Sequence, residues 1–243
     1  MEPTRTAAES CLDVNTHTPD QLALPFGASR AQTFFNFTGR NNEELINRLA
    51  ALSTGFTSTW MYGAEGVGKS HLLRAAIHTQ QGYGVRCLVV DASDEASLKR
   101  LARLGNTLCL AIDGVSKLVG RPTHETALFE AWNVLSLQQG QLILADERSP
   151  LAIKFSLDDL ASRLRSSQVF EVRGLDEQGV RTLLQRRLRD RGLVVGRPVL
   201  DYWLTRRNRA VGALLDDLDR LDAASWRSKH RLTVPFLKTV LEA

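Results

Sequence analysis

Gly63-Ala-Glu-Gly-Val-Gly-Lys-Ser70 is the stretch of this 243-residue chain whose residue types and spacing most directly imply chemistry. It fits the pattern G-x-x-x-x-G-K-[ST], and it follows an apolar run and precedes the amphipathic SHLLRAAIH. Gly63, Gly66 and Gly68, with Val67 between them, let the backbone wrap phosphate oxygens with its N–H groups at the positive end of a helix dipole. Lys69 is expected to reach the β- and γ-phosphates of a nucleotide, Ser70 to supply a Mg²⁺ ligand, and His71 to join the nucleotide contacts. The alternative is a glycine turn that joins strand to helix by chance, and the strand-loop-helix context weighs against it.

Leu108-Cys-Leu-Ala-Ile-Asp113 supplies a second element, an apolar strand ending in an acid that can hold the metal. The next position, where many hydrolysing P-loop proteins place a carboxylate to orient the attacking water, is Gly114. Without that carboxylate intrinsic hydrolysis is expected to be slow. His71 and His78 are seven residues apart on one helix, but no carboxylate or Cys completes a metal set with them.

These residues need a scaffold, and apolar bursts alternating with helical patterns provide one. Strands are expected at Thr57 to Tyr62, Val85 to Val90, Thr107 to Ile112, Gln141 to Ala145 and Val169 to Val172. Helices are expected from Lys69, at Glu95 to Leu104, His124 to Gln139 and Leu157 to Leu164. Five strands separated by helices indicate a three-layer parallel α/β sheet. After Gly174 only helical patterns remain, at Glu177 to Arg191, Pro198 to Arg207, Val211 to Arg227 and Pro235 to Leu241. Pro198 and Pro235 suit first-turn positions and Gly192 a C-terminal cap. The expected division is a flexible tail over 1–30, a nucleotide-binding domain over 31–173 and a helical lid over 174–243.

A hydrophobic share of 43% and a charged share of 24% suit a folded chain. The net charge of +4 is small for a dedicated DNA binder. Of the 31 basic residues 25 are Arg, and 15 of those lie between Arg163 and Arg231, so bidentate contacts to phosphate or carboxylate compete there with a plain solvated helix face. Cys11, Cys87 and Cys109 have no paired or metal-like spacing, and the last two sit in apolar runs, which reads as buried thiols in a reducing cytosol. Trp60, Trp132, Trp203 and Trp226 are scattered among apolar positions and read as packing residues. No run approaches the ~20 apolar residues of a membrane span, so a cytoplasmic protein is expected.

The runs WMYGAEGVGKSHLLRAA, LCLAIDG, QLILADERSP and LASRL resemble the nucleotide-binding part of the bacterial initiator DnaA and of its shorter relatives, the Hda family, both AAA+ proteins. The similarity extends from about Thr33 to the C-terminus. DnaA continues into a helix-turn-helix that reads origin DNA, whereas this chain ends at Ala243 soon after the last lid helix, so the shorter relatives fit better. The resemblance implies ADP or ATP with Mg²⁺ as ligand and an arginine finger at Arg163, with Arg165 as a nearby substitute. It places Glu147 where an Asp senses the nucleotide state. It also places Gly212 where a lid arginine faces the phosphates, leaving Arg209 as the substitute three residues earlier. Gln21-Leu-Ala-Leu-Pro-Phe26 looks like the peptide by which replication proteins dock on the DNA polymerase sliding clamp. Leu22, Leu24 and Phe26 suit an apolar groove, Pro25 limits the ordering entropy, and Gln21 suits the rim, though a tail packed on its own domain is the alternative.

The function implied is a regulator of replication initiation that docks on the clamp and stimulates hydrolysis of DnaA-bound ATP in trans, touching DNA only through the clamp. Self-association stays open. The alternatives are an autonomous, clamp-loader-like AAA+ ATPase and a DnaA-like DNA-binding fragment that uses the Arg-rich lid.

Overall fold

A computed structural model describes residues 32–37, 42–52, 54–207, 210–228 and 232–242. A short 3-10 turn at Phe34–Asn36 leads to α1 (Glu43–Ala50), and the alternating part follows. It runs β1 (Thr57–Tyr62), α2 (Lys69–Gly82), β2 (Cys87–Asp91), α3 (Glu95–Leu101), β3 (Cys109–Asp113), α4 (Pro122–Leu137), β4 (Gln141–Asp146), α5 (Asp158–Arg165) and β5 (Gln168–Glu171). The strands form one parallel sheet in the order β2-β3-β4-β1-β5.

Successive strand side chains point to opposite faces, and in the central strands β3 and β4 both faces are covered, which is why these two read as near-continuous apolar runs. Trp60, Leu110, Ile112, Leu142 and Leu144 turn toward α3, α4 and α5, where they meet Leu98, Leu128, Leu135 and Leu160. Met61, Ala111, Ile143 and Ala145 turn the other way, toward Leu45 and Leu49 of α1 and Leu72 and Ala76 of α2. This alternation makes three layers. It also brings the carboxyl ends of the strands level, with Tyr62 beside Asp146, Asp113 beside Ala145 and Asp91 beside Asp113.

The α1 helix has no counterpart in the sequence-based expectations. Its eight residues are mostly polar, and only Leu45 and Leu49, one turn apart, are buried. It is tied down from afar: the Asn42 side-chain amide donates to Arg173 O at 3.0 Å and accepts from Arg173 N at 3.0 Å, clipping the segment that leaves β5.

The helical part comprises α6 (Glu177–Asp190), α7 (Arg197–Arg206), α8 (Val211–Ser228) and α9 (Val234–Leu241). Asp176 caps α6 by accepting from Gly179 N, and Gly192 follows it with φ 69, the left-handed geometry of a helix stop. Leu184, Leu188, Leu200, Trp203, Leu218 and Leu237 form a core separate from the sheet's. Across it, the Arg207 guanidinium grips the Asp217 carboxylate with two hydrogen bonds of 2.8 Å, and Trp203 Nε1 donates to the same group at 3.3 Å.

Two expectations need correction. Trp226 is 74% exposed rather than packed, because the buried stripe of α8 runs through Leu214, Leu218 and Leu221 and Trp226 lies off it. Cys109 is buried, but Cys87, its neighbour across the β2–β3 pair, is only partly covered. Among the described residues no helix is long and apolar enough to cross a membrane.

Candidate functional site

A cleft of about 570 Å³ opens at the carboxyl ends of β1, β3 and β4, the place where parallel sheets expose loops and helix N-termini together. It is lined by Glu65 to Ser70 of the loop with Asp113, Gly114, Asp146 and Glu147, and by Leu183 and Arg187 of α6 and Val211, Gly212 and Leu215 of α8; Gly63 is not among the lining residues. The size suits a cofactor of moderate bulk.

The loop's shape follows from its glycines. Gly68 sits at φ 104, and a β-carbon there would come within 2.8 Å of the Phe37 ring, so only glycine serves. This residue is also the N-cap of α2 and has no side chain to cap it, which leaves the first N–H groups of α2 directed at the loop's hollow. Lys69, only 9% exposed, folds over that hollow and donates from Nζ to Gly63 O at 2.7 Å and to Ala64 O at 2.8 Å. Burial lowers its pKa, while Glu147, Asp113, Asp146 and Glu65 pull in the opposite direction. A buried ammonium held only by main-chain carbonyls is poised for an anion.

Ser70 Oγ donates to Asp113 Oδ2 at 2.5 Å, which joins the two oxygens that the sequence assigns to a metal. Among the described residues no group of three or more His, Cys, Asp or Glu side chains forms a metal site. Two oxygens suit a hard cation such as Mg²⁺ only when phosphate oxygens and water complete its octahedron, so the donor set fits a metal that arrives with a nucleotide.

Asp146 and Glu147 divide the labour at the end of β4. Glu147 lies on the lip of the cleft, exposed. Asp146, 2% exposed, accepts from Ser116 N at 2.6 Å and from Arg148 N at 3.0 Å, which pins the turn after β3 to the strand beside it. Nothing in the sequence distinguishes these adjacent acids, because the difference lies in the direction of the pleat. His71 lines the cleft, its Nε2 3.0 Å from Thr33 O and its ring against Phe37 at 5.6 Å. Burial lowers its pKa; the Thr33 carbonyl opposes the shift, and Arg187 and Arg74 add to it.

Among the lid residues, Gly212 borders the cleft with open space around its α-carbon, and Arg209 lies outside the described residues. Arg187 lines the cleft from α6, a position that the sequence pattern did not mark. The hexamer of Gln21, Leu22, Leu24, Pro25 and Phe26 also lies outside the described residues.

Arg163 is not among the cleft-lining residues. It stands in the last turn of α5, where its guanidinium carbon lies 4.2 Å from the centre of the Phe129 ring and 4.6 Å from that of Trp132, and Nη1 donates to Asn133 Oδ1. Arg165 is exposed. The helix that carries both is started from α4: the Glu125 carboxylate, 1% exposed, accepts from Ser156 N and Leu157 N at 2.8 and 2.9 Å, and from Gly120 N at 2.8 Å. Elsewhere in the arginine-rich stretch, Arg181 pairs with Asp201, Arg191 with Asp219 and Asp222, and Arg207 with Asp217.

Comparison with known proteins agrees with this geometry. The profile of the bacterial DnaA ATPase domain matches residues 30–171, and that of the Hda lid domain matches residues 176–241. Domain III of the Thermotoga maritima replication initiation protein DnaA superposes with a TM-score of 0.74 at 19% identity, over 88% of this chain and 96% of that one. AMPPCP-bound DnaA from Aquifex aeolicus gives 0.66 at 23% identity, over 82% and 67%. The Thermotoga maritima RuvB Holliday junction branch migration motor gives 0.64 at 15%, over 88% and 72%. Likenesses at these identities establish the fold, a P-loop AAA+ core followed by helices. Since the ATPase-domain profile spans more than half of the sequence and the Hda lid profile most of the remainder, the chain belongs to the DnaA-related family of AAA+ proteins, with a lid of the Hda type.

Proposed function

We propose that this protein binds ADP or ATP with Mg²⁺, docks on the DNA polymerase sliding clamp through Gln21–Phe26, and presents Arg163 to ATP held by DnaA. Hydrolysis in the partner then ends its capacity to initiate. The single observation that carries this reading is the separation of a complete phosphate cradle from the arginine: Lys69, Ser70 and Asp113 share one cleft, and Arg163 lies outside it. A finger so placed acts across a head-to-tail interface rather than on its own nucleotide. The AMPPCP held by the Aquifex aeolicus relative supports the assignment of the cleft to nucleotide.

Bound nucleotide would supply negative charge and bring a Mg²⁺ for Ser70 and Asp113 to hold. The chain's own residues do the rest. Loop N–H groups and Lys69 hold phosphate oxygens, Glu147 senses their occupancy from the lip, and Val211 and Leu215 bring α8 over the site. Gly114 offers no carboxylate to accept a proton from water, so the protein's own turnover is slow. Arg163 supplies what the partner's site lacks, a cation for charge that develops on the transferred phosphoryl group, worth ~10³ to 10⁵ in rate.

The test is hydrolysis of ATP pre-bound to DnaA. Stimulation is expected only when this protein and DNA-loaded clamp are both present, and it should vanish when Leu24 and Phe26 are replaced by Ala. Equal stimulation without the clamp, or none with it, overturns the proposal. So does rapid ATP turnover by the isolated protein, which would favour an autonomous ATPase.

A further inference from the structure

Both ends of α5 are held from one face of α4. Glu125, Phe129, Trp132 and Asn133 are spaced so that they share a side of that helix. The Glu125 carboxylate accepts from the N–H groups that lead into α5, and about 12 Å further along α4 Asn133 receives Arg163 from the last turn of α5. There Nη1 donates to Asn133 Oδ1, while the guanidinium carbon lies 4.2 Å from the centre of the Phe129 ring and 4.6 Å from that of Trp132. A guanidinium has five N–H donors, so a single hydrogen bond to a described residue leaves the greater part of the fork for an anion.

Trp132 is itself fixed, its ring meeting that of Phe56 edge-on at 4.8 Å and 71°. Its buried Nε1 finds no hydrogen-bond partner among the described residues. Buried indoles ordinarily satisfy that N–H, so a ring kept here without a partner is kept for its face, and that face is the one Arg163 covers. Resting on the reading of Arg163 as the finger, we propose that Trp132 and Asn133 are its positioning residues, which present the guanidinium to a partner's phosphate already oriented. The ring sets the plane of the guanidinium, and the amide sets its rotation within that plane. A free arginine side chain samples many rotamers, and ordering it at the moment of reaction would oppose the gain in charge stabilisation. Neither residue needs to touch the phosphate; both act through Arg163.

The test is hydrolysis of ATP pre-bound to DnaA with DNA-loaded clamp, titrated with the full chain so that the maximal rate and the half-saturating concentration are read apart. Asn133→Ala is expected to lower the maximal rate by about tenfold, the loss of one charge-assisted hydrogen bond, with the half-saturating concentration within about twofold. Trp132→Leu should act in the same way. Trp132→Phe keeps a ring face and loses no hydrogen bond, so it should stay within about threefold of the unaltered protein. In an Arg163→Ala background neither Asn133→Ala nor Trp132→Leu should lower the rate further, because residues that act through one group lose their effect with it. An unchanged maximal rate in both single variants, or a further loss in the Arg163→Ala background, overturns the positioning role and leaves the finger standing. So does a higher maximal rate, which would mean that these contacts retract the finger. Full stimulation by Arg163→Ala overturns the finger and this role with it.

Discussion

Lys69 and Arg163 are both cations kept partly out of water, and they are held in opposite ways. Lys69 is fixed by its own loop: two carbonyls five and six residues before it accept its hydrogen bonds, and a glycine at φ 104 makes the bend. Arg163 is fixed by another element, the aromatic faces of Phe129 and Trp132 and the amide of Asn133, all on α4. The first arrangement is local and turns its charge inward to a cavity. The second is tertiary and leaves a planar guanidinium on an edge, stacked on rings that cost it little desolvation. The proposed function uses the two separately, the first to hold a phosphate chain and the second to act on one held by a partner.

The contrast is sharpest where support and site can be separated. Glu125→Ala removes the acceptor for three main-chain N–H groups, those of Ser156 and Leu157 at the start of α5 and that of Gly120 before α4, and should cost about 3 kcal/mol of stability. In a thermal melt the loss should appear in the whole sheet domain. A change below about 0.5 kcal/mol would mean that α5, and with it Arg163, is held by packing alone.

In the lid, burial raises the Asp217 carboxyl's pKa, but the hydrogen bonds from Arg207 and Trp203 outweigh it and hold the group below the ordinary value. A carboxyl with a depressed folded pKa stabilises above its unfolded pKa, near ~3.9, and that contribution fades as pH falls through the folded value. The protein should therefore lose more stability between neutral pH and about pH 3 than the Asp217→Asn variant, whose stability at neutral pH should already be lower by about 2 kcal/mol. Parallel acid profiles for the two proteins would contradict the assignment. Smaller again, Lys69→Ala should weaken ADP binding by about tenfold, or 1.4 kcal/mol, without altering the melt by a comparable amount.

The same local-versus-tertiary divide governs what could be read in the sequence. The phosphate loop and Asp113 were legible because a loop between strand and helix defines its own geometry. All five strands were legible, most clearly β3 and β4, where burial on both faces leaves apolar runs; the bounds of β1 coincide with expectation and the other strand ends differ by at most two residues. The α1 helix was not, since eight mostly polar residues become a helix only when Leu45 and Leu49 find the sheet. Asp146, Lys117 and Arg187 were missed for a related reason: each reaches the cleft through a pleat direction, a chain reversal or a neighbouring helix. The cradle of Arg163 had a trace in the spacing of Phe129, Trp132 and Asn133, three and four residues apart on one helical face.

The central claim, that the arginine outside the cleft acts on another molecule's ATP, is tested most directly by Arg163→Ala in a reaction containing DNA-loaded clamp and ATP-bound DnaA. Folding, nucleotide affinity and clamp binding should stay within about twofold of the unaltered protein, while stimulated hydrolysis falls by ~10³ or more and Arg165→Ala does less. Full stimulation by Arg163→Ala, with loss in Arg165→Ala, would contradict the assignment of the finger; full stimulation by both variants would contradict action in trans through this helix altogether.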